Sequence, residues 1–443
     1  MTDPQALADK VIAMVGDRAE AEAMVVAGNR SLTRFANSYI HQNVGEDVPQ
    51  IELKVVVDGR VSSAATSQVG DDALNRMVDT ALESARLRPV DADWPGLAPQ
   101  AEAADVEHWD AATAAADPAE RASRVADFVA AGPGLRGAGY CETIGLTSAF
   151  ANSAGQRLTG RETRAIIDGI HQTETSAGSA HQTGVGIGDL DGAAAGTQAA
   201  ARARDSADAY DIKPGEYEVV LSPECTATIA VFLSAYGFNA KAAVEEQSFV
   251  EIGGQQFDPA INMWDDVTDP RALGVAFDSD GVPKRRVELI TGGVSKSLAH
   301  DRRTAAKLGT ESTGHAVPGS ESFGAFPLNV FVGEGDQSID EMIASVDRGL
   351  FVTAFNYCRI LDPKSQVVTG LTRNGTFMIE NGAITGALTN LRFTQSFVEG
   401  LGGGRVLAVG NDGRFADSEF GPGFIHAPSL HLASWNFTGG NDG

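Results

Sequence analysis

The sequence predicts an α+β protein, in which N-terminal helix–strands–helix units precede a larger strand-rich domain with mostly antiparallel or mixed sheets. Three observations support this prediction. Helix-like and strand-like segments come in runs, whereas a βαβ fold would alternate them. The 50 glycines fall singly or in pairs, as in turns between short strands. The 443 residues exceed one ordinary core, so we expect two or three domains.

The first predicted domain, residues 1–90, begins with a helix in MTDPQALADKVIAMVGD, which Thr2 or Asp3 caps and which has Pro4 in its first turn. Strands are expected at AEAMVVAGN, SLTRFANSYIHQNV and PQIELKVVVDGRVSSAATSQV, because β-branched and alternating residues predominate there. DDALNRMVDTALESARL then repeats apolar residues at helical spacing. This order predicts one α+β unit.

Residues 91–117 are rich in Ala, Pro and Asp, which predicts a surface connection to a central α+β domain at 118–210. In that domain we expect a helix at PAERASRVADFVAA, strands around CETIGLTSAFANS and TRAIIDGIHQTE, and a helix near LDGAAAGTQAAARARDSADA. Between them, TGVGIGDLDG has part of a dinucleotide fingerprint, but its third glycine comes one residue early. A glycine-rich strand end before a helix is the better interpretation.

The third predicted domain, residues 211–443, opens with the strand EYEVVL and the helix SPECTATIAVFLSAYGFN. Ser222 can cap this helix and Pro223 suits its first turn. Apolar residues recur inside it at helical spacing, which indicates a core helix.

Further along this domain, SIDEMIASV carries a capping box from Ser338 to Glu341 and should be helical. FVTAFNYCRIL, GTFMIENGAITG and GRVLAVGNDGRF read as strands. Asn381-Gly382 and Asp412-Gly413 are expected to form hairpin turns.

Charge and cysteine content limit the classes of function. The chain has 59 acidic and 34 basic residues, a formal net charge of −25, which argues against direct binding of nucleic acid or of an anionic membrane. Its three cysteines lie far apart, which indicates a reducing compartment. We find neither a signal peptide nor an apolar run of about 18 residues, so we expect a cytoplasmic protein without a membrane span.

The residues alone show no credible active site. HExxH and HExxxH are absent from the sequence, and no two of the eight histidines stand at i+2, i+3 or i+4. His426 and His431 are five apart and could meet, but ordinary loop histidines are favoured over metal ligands. Cys358 stands beside Arg359, yet a cysteine in an apolar strand is more often a small hydrophobe than a nucleophile.

Four motifs of this chain resemble, in order, those of the TldD/TldE (PmbA) family. They are FANSAGQRL at 150–158, KPGEYEVVLSPE at 213–224, IENG at 379–382 and NLRFTQS at 390–396. The last two lie in the most similar stretch, residues 348–401. Each motif is modest alone, but the ordered set covers nearly the whole chain.

The resemblance implies one of two subunit types. A TldD-type subunit is a zinc-dependent peptidase whose HExxxH helix follows a VVL strand and whose C-terminal cysteine completes the zinc site, and a TldE-type subunit lacks that site. Laid on this chain without gaps, the motif's first His falls at Val231, its Glu at Phe232 and its second His at Tyr236. The cysteine would fall at 419–423, where none stands. Because Val, Phe and Tyr so arranged cannot hold a metal that polarises water, the resemblance implies a TldE-type chain with no catalytic residue, metal ligand or cofactor of its own.

The resemblance also implies a partner, a TldD-type peptidase that carries the zinc, with unfolded or precursor peptides as substrates. An older name of the family invokes modulation of DNA gyrase. We expect this chain to help bind peptides, and Arg373, Asn374, Asn390 and Arg392 are the candidate substrate-binding residues, because they are polar groups in otherwise apolar strands. Turn chemistry and ion pairing are the alternative explanation for these four residues.

Two alternative functions remain open. The chain could be a stand-alone homodimeric TldE-like protein that acts as a scaffold, or in peptide or small-molecule processing, in a biosynthetic pathway. It could also be a metal-free hydrolase that uses Cys358 or a histidine loop.

Overall fold

The computed structural model describes residues 3–47 and 49–440. Its α-helices are α1 (Pro4–Val15), α2 (Asp71–Leu87), α3 (Ala111–Ala114), α4 (Pro118–Ala130), α5 (Gly192–Asp205), α6 (Pro223–Tyr236), α7 (Ala240–Val244), α8 (Arg302–Leu308), α9 (Ser320–Phe323), α10 (Ile339–Ser345) and α11 (Phe397–Gly400). Its N-terminal strands are β1 (Glu20–Ala36), β2 (Tyr39–Glu46), β3 (Gln50–Val57), β4 (Arg60–Thr66), β5 (Arg136–Asn152), β6 (Arg157–Gln172) and β7 (Ala177–Gly184). The remaining strands are β8 (Gly215–Leu221), β9 (Met263–Asp265), β10 (Val287–Thr291), β11 (Val294–Ser295), β12 (Val330–Val332), β13 (Arg348–Val352), β14 (Phe355–Asp362), β15 (Val367–Thr372), β16 (Thr376–Glu380), β17 (Ala383–Ala387), β18 (Leu391–Ser396), β19 (Val406–Val409), β20 (Arg414–Ser418), β21 (Gly421–Ala427) and β22 (Leu430–Gly440).

Strands β1 to β7 form one antiparallel sheet in the order β4-β3-β1-β5-β6-β7, with β2 paired to the second half of β1. The long β1–β5 pairing joins the predicted units 1–90 and 118–210 into this single sheet, while the predicted domain boundaries themselves stay a prediction. Helices α1, α2, α4 and α5 pack on the sheet. Because side chains alternate along a strand, the face opposite these helices carries residues such as Met24, Ile144 and Leu146, which face the C-terminal half of the chain.

Strand β1 differs from the prediction in two places. AEAMVVAGN and SLTRFA form one continuous strand of 17 residues, which passes through Gly28. A Cβ at Gly28 would lie 2.1 Å from the carbonyl oxygen of Gly145 on β5, so glycine permits the close approach of the two backbones. The chain turns instead at Asn37 and Ser38, inside the predicted strand SLTRFANSYIHQNV, where both φ angles are positive.

The C-terminal half contains two mixed sheets. Nine strands follow the order β14-β15-β18-β22-β8-β13-β16-β17, with β19 added on β22, and six follow the order β11-β10-β9-β12-β21-β20. The β8–β13 and β12–β21 pairs are parallel, and the remaining described pairs are antiparallel. Helix α6 contacts β8 and β14 of the nine-stranded sheet and β20 and β21 of the six-stranded sheet. The fold is therefore α+β with antiparallel and mixed sheets, as predicted.

Most predicted helices and turns are confirmed. Asp3 caps α1 through its side chain, whereas Thr2, the other predicted cap, lies outside the described residues. The capping box from Ser338 to Glu341 opens α10. Asn381-Gly382 forms the β16–β17 turn, with φ angles of 52° and 76°.

In the C-terminal half, one strand prediction and one turn prediction are wrong. FVTAFNYCRIL is not one strand but is interrupted at Thr353, whose hydroxyl donates to the carbonyl oxygen of Gly375 at 3.0 Å. The first part of this segment belongs to β13 and the second part to β14. Asp412-Gly413 is not a hairpin turn, because β19 and β20 lie in different sheets. The Asp412 carboxylate accepts from the backbone N–H of Ser429 at 2.8 Å and from its hydroxyl at 2.7 Å, which fixes this crossing between sheets.

Two features concern the environment of the chain. No helix in the described residues is long and apolar enough to cross a membrane. Cys141, Cys225 and Cys358 are all buried free thiols. Buried cysteines that remain unpaired indicate that the protein folds without a disulfide framework.

Candidate functional site

Helix α6 is buried on all sides along most of its length. Each residue from Pro223 to Ser234 is buried, although the sequence has acidic and hydroxyl groups at the start of the helix. Pro223 occupies the first turn as predicted, but the Ser222 side chain makes no capping bond. Its hydroxyl lies 2.5 Å from the carbonyl oxygen of Thr353 and 2.7 Å from a carboxylate oxygen of Glu224. The start of α6 is thus tied to the strand connection after β13.

The second half of α6 carries an aromatic cluster, defined here as Phe232, Tyr236, Phe397 and Phe420. Phe232 lies at its centre and is 1% exposed. The ring of Phe420 stacks on it with centroids 5.3 Å apart, and those of Tyr236 and Phe397 lie 5.6 Å and 5.8 Å away. These spacings fall within the range in which aromatic rings attract one another. The loop after β20 is therefore packed onto α6 by apolar contact.

A polar cavity of about 170 Å³ lies beside the first half of α6, between that helix, strand β7 and the end of β20. We call it the interdomain cavity. Its charged lining residues come from distant parts of the chain: Asp168, His181, Arg202, Glu224, Asp417 and Glu419. None of them was singled out from the sequence, because only the sheet register and the contact of β7 with β20 bring them together.

The deepest carboxylate of this cavity is Glu224. Burial acts to raise its pKa, but Arg414, at 2.8 Å, together with Arg202 and the Ser222 hydroxyl, lowers the pKa to about 2. Arg202 donates to the carbonyl oxygen of Ser179 at 2.8 Å, and burial lowers the pKa of its guanidinium. Glu224 is therefore a permanently charged structural anion, not a proton donor near neutral pH.

Asp417 behaves in the opposite way. Burial, together with the negative charge of Asp168, raises its pKa to about 6 against the opposing influence of His181. The Nδ1 atom of His181 lies 3.5 Å from Oδ2 of Asp168, and Nε2 lies 2.6 Å from the hydroxyl of Thr183. This side of the cavity therefore holds two neighbouring carboxylates and one imidazole.

A larger and more apolar cleft, of about 360 Å³, separates the open face of the seven-stranded sheet from the loops before β10 and β12. Leu146, Phe277 and Leu328 are among its lining side chains. His315 lines its wall, with Nε2 2.9 Å from Oδ1 of the buried Asp265. Although burial acts to raise the pKa of Asp265, the His315 imidazole holds it below its usual range. A concave apolar surface with a few fixed polar groups is the usual form of a ligand site.

Comparison with known proteins assigns the chain to a family. The sequence model described as the PmbA/TldA metallopeptidase C-terminal domain matches residues 214–439, which is just over half of the chain. The chain belongs to the PmbA/TldD family. Its C-terminal family domain thus includes α6, the aromatic cluster and the α6 side of the interdomain cavity.

Curated relatives of this PmbA/TldD chain are metalloproteases by name. A "Metalloprotease" of Methanothermobacter thermautotrophicus is 24% identical over 282 residues, covering 60% of this chain and 61% of the relative. The "Zinc metalloprotease TldD homolog" of Saccharolobus solfataricus is 27% identical over 206 residues, covering 43% of each chain. The chain thus spans less than two thirds of the length of these relatives.

Solved structures match the whole fold of the PmbA/TldD chain. TldE from Thermococcus kodakarensis superimposes with a TM-score of 0.87 at 18% identity, over 98% of this chain and 100% of that one. A protein described as a putative modulator of a DNA gyrase, from Thermotoga maritima, gives a TM-score of 0.83 at 18% identity, over 98% and 99%. At such identity the likeness establishes the fold alone.

The α6 residues of this PmbA/TldD chain do not fit the zinc ion that the family implies. Val231 and Phe232 are buried and have no lone pair to offer, and Tyr236 supplies a single phenol oxygen. At the predicted cysteine position, Glu419 lies 3.3 Å from Arg359 and Phe420 stacks on Phe232. Among the described residues, no three His, Cys, Asp or Glu side chains are placed to hold one metal ion. Zinc in proteins is held by these residue types, so the described residues around α6 do not form a zinc site.

The four predicted substrate-binding residues come together at one end of β15 and β18. The β15–β18 register ends at the pair Leu371 and Arg392. Arg373 and Asn374 lie in the connection after β15, and Asn390 lies just before β18. Both arginines are exposed and both asparagines are half-buried, and Asn374 has φ of 57°, a turn conformation that Asn tolerates. These residues line neither cavity described above. Their role in substrate binding stays a prediction.

The alternative reactive groups have structural partners. His431 Nε2 lies 2.7 Å from Oε1 of Glu218 in the nine-stranded sheet, whereas His426 is on β21 in the six-stranded sheet, against the ring of Phe331 at 5.3 Å. Burial, with Arg271 nearby, lowers the pKa of His426 to about 4. Burial and the charge of Glu419 raise the pKa of the Cys358 thiol well above its usual value. Cys358 is thus placed as a core residue, not as an activated nucleophile.

Proposed function

We propose that this chain is the metal-free, TldE/PmbA-like subunit of a TldD/TldE-type metallopeptidase complex. It helps to bind unfolded or precursor peptides, which a zinc-bearing TldD-type partner cleaves. One observation carries the proposal: the α6 positions that the resemblance aligns with the family's zinc ligands and base hold Val231, Phe232 and Tyr236, and the last two pack into the aromatic cluster. Because apolar side chains cannot activate water, such a chain contributes binding instead of chemistry.

Two kinds of surface support a peptide-binding role. The cleft of about 360 Å³ offers apolar side chains to a peptide. Strands β14 and β17 are the outer strands of the nine-stranded sheet. Tyr210 already pairs with the end of β17 at Ala387 and Leu388, so an extended peptide can add by main-chain hydrogen bonds most readily to β14. Such pairing tolerates many sequences, as the binding of unfolded chains requires. The free buried thiols lead us to place the complex in the cytoplasm.

Coexpression tests the pairing. This chain, carrying an affinity tag, is coexpressed with an HExxxH-bearing paralogue from the same genome, and the eluate is analysed by gel filtration and metal analysis. We expect a heteromeric complex whose zinc belongs to the paralogue, and the chain purified alone should contain almost none. A stable homodimer that ignores the paralogue, or near-stoichiometric zinc in the isolated chain, would contradict the proposal.

A further inference from the structure

The charges around the interdomain cavity are unevenly compensated. Glu224 is paired with Arg414, and Glu419 lies 3.3 Å from Arg359. Asp168, by contrast, has only the imidazole of His181 within ion-pair distance among the described residues, and Asp417 has no such partner there. Arg202 lines the same cavity, so the four lining carboxylates outnumber the three arginines Arg202, Arg359 and Arg414 by one negative charge.

His181 provides a second, independent indication of a binding site. Its side chain is 4% exposed and lines the cavity, and its Nδ1 makes no hydrogen bond. Its other ring nitrogen is engaged with the hydroxyl of Thr183. When Nε2 carries the proton and donates to Thr183, Nδ1 presents a lone pair. In that tautomer Nδ1 faces Oδ2 of Asp168 at 3.5 Å with no proton between them. Because buried polar atoms are normally hydrogen-bonded, both of these atoms can accept from a donor in the cavity.

We propose that the interdomain cavity binds a primary ammonium group, carried by a peptide N-terminus or by a lysine side chain. An ammonium group has three N–H donors and one positive charge. The carboxylates of Asp168 and Asp417 and the Nδ1 atom of His181 supply three acceptors and the balancing negative charge. The cavity of about 170 Å³ is several times the volume of roughly 30 Å³ that a water molecule occupies in the liquid. It therefore has room for the ammonium and the carbon atoms that carry it.

The arrangement suits an ammonium group better than a metal ion. In the described residues, no three potential ligands converge closely enough for a metal. The N–H bonds of an ammonium group point in three directions and reach acceptors about 2.7–2.9 Å from its nitrogen. It can therefore satisfy acceptors that stand on separate walls, here on β6, β7 and β20.

Proton binding by Asp417 gives the site a pH dependence. Six titratable or charged groups face the cavity from the elements around it: Asp168, His181, Arg202, Glu224, Asp417 and Glu419. Burial and Asp168 raise the pKa of Asp417 to about 6, and an ammonium beside the carboxylate would lower it again. Ligand binding near pH 6 should therefore release a proton, and affinity should fall as the pH drops below about 6.

This inference rests on the proposed function in one respect, namely that the ammonium belongs to a peptide. Isothermal titration calorimetry on the full chain at about pH 7.5 uses four probes: trialanine amide, N-acetyl-trialanine amide, N-acetyl-Ala-Lys-Ala amide and n-butylammonium chloride. We expect trialanine amide or the lysine peptide to bind at least about tenfold more tightly than N-acetyl-trialanine amide, because a charged hydrogen-bonded group is lost on acetylation. Tighter binding of trialanine amide indicates that the site takes a peptide N-terminus, and tighter binding of the lysine peptide indicates that it takes a lysine side chain.

Isosteric variants locate the binding. Asp417→Asn and Asp168→Asn should each weaken the favoured probe about tenfold or more, since each removes one charged acceptor. Asp127→Asn on α4 is the matched control, because Asp127 is exposed on a helix that packs on the opposite face of the sheet. It should change affinity less than about twofold. Thermal unfolding of all three variants shows whether they remain folded.

Equal binding of the free and acetylated peptides, full affinity in both cavity variants, or no binding of any probe at millimolar concentration would overturn the ammonium site. Binding of n-butylammonium alone would support the ammonium site and contradict the peptide role. A failed copurification with the zinc-bearing paralogue would instead contradict the proposed pairing, and it would leave these titrations unaffected.

Discussion

Replacing Phe232 with alanine tests whether α6 is held by the aromatic cluster. Phe232 is 1% exposed and contacts three rings with centroids 5.3–5.8 Å away. Truncating a buried Phe to Ala costs about 3–5 kcal/mol of unfolding free energy, as lost transfer energy plus a cavity. Because three ring contacts vanish together, we expect the upper part of that range, about 4–5 kcal/mol.

Phe420 offers the internal comparison. It is half exposed, so only about half of its ring is removed from water. Full burial of a Phe side chain is worth about 1.5–3 kcal/mol, so Phe420→Ala, with half of its ring buried, should cost about 0.8–1.5 kcal/mol. Phe323→Ala, at a position 74% exposed, should fall within about 0.5 kcal/mol of wild type.

Urea unfolding followed by tryptophan fluorescence measures these differences. Trp435 is fully buried and its ring lies 5.7 Å from that of Phe397, so its emission reports on the same core as Phe232. A loss of less than about 1 kcal/mol in Phe232→Ala, or an equal loss in Phe420→Ala, would refute the packing described here.

The remaining predictions concern buried charges, a thiol and a turn. Glu224→Gln should destabilise the chain by about 1–3 kcal/mol near pH 7, because the half-buried Arg414 loses its charged partner at 2.8 Å and keeps only Asp412 at 3.9 Å. The pKa of Glu224 in the folded chain is lowered to about 2, so the carboxylate's contribution to stability is complete above its unfolded pKa and disappears as the pH falls through about 2. The urea midpoints of the variant and the wild type should therefore converge near that pH. Asp417→Asn should stabilise the chain above pH 6 by up to about 3 kcal/mol and have no effect near pH 3, because a pKa raised to about 6 weakens the fold as the pH rises. Cys358 should resist iodoacetamide in the native chain at about pH 8 and react after urea unfolding, as mass spectrometry can show, because burial raises the pKa of its thiol. Gly382→Ala should cost more than about 1 kcal/mol in urea unfolding, since φ is 76° and the new Cβ would lie 2.6 Å from a backbone oxygen.

Three of these predictions have a control or a contradicting result. Gly403→Ala adds its Cβ in open space and should be nearly neutral, so a similar loss in both glycine variants would contradict the turn argument. Rapid alkylation of native Cys358 would contradict its burial. Equal stability of Asp417→Asn and wild type at pH 7.5 would show that Asp417 is not strained by its surroundings.

Local structure was largely predictable from the sequence, and α6 shows why. Its proline, its helical spacing of apolar residues and its position after EYEVVL all follow from neighbouring residues, and the structure confirms the helix from Pro223 to Tyr236. Val231 and Phe232 are buried, as the core-helix prediction required. Such features depend on residues only a few positions apart.

The errors and omissions arise from contacts between distant residues. Asp412-Gly413 has the residue types of a hairpin turn but does not form one. Ser429 donates hydrogen bonds to both carboxylate oxygens of Asp412, and the chain continues there into another sheet. The interdomain cavity was not predicted, because Asp168, His181 and Asp417 meet only after β7 packs against β20. No spacing rule within the sequence links these residues.

The position of β22 has a consequence for synthesis of the chain on the ribosome. This strand, Leu430–Gly440, pairs with both β8 and β18, although β8 ends at Leu221, about 210 residues earlier. At a synthesis rate of roughly 5–20 residues per second, about 10–40 s pass between the synthesis of β8 and that of β22, the strand that covers its edge. During that time its main-chain groups are open to wrong partners. Nascent chains of this protein should therefore depend on chaperones until β22 has emerged.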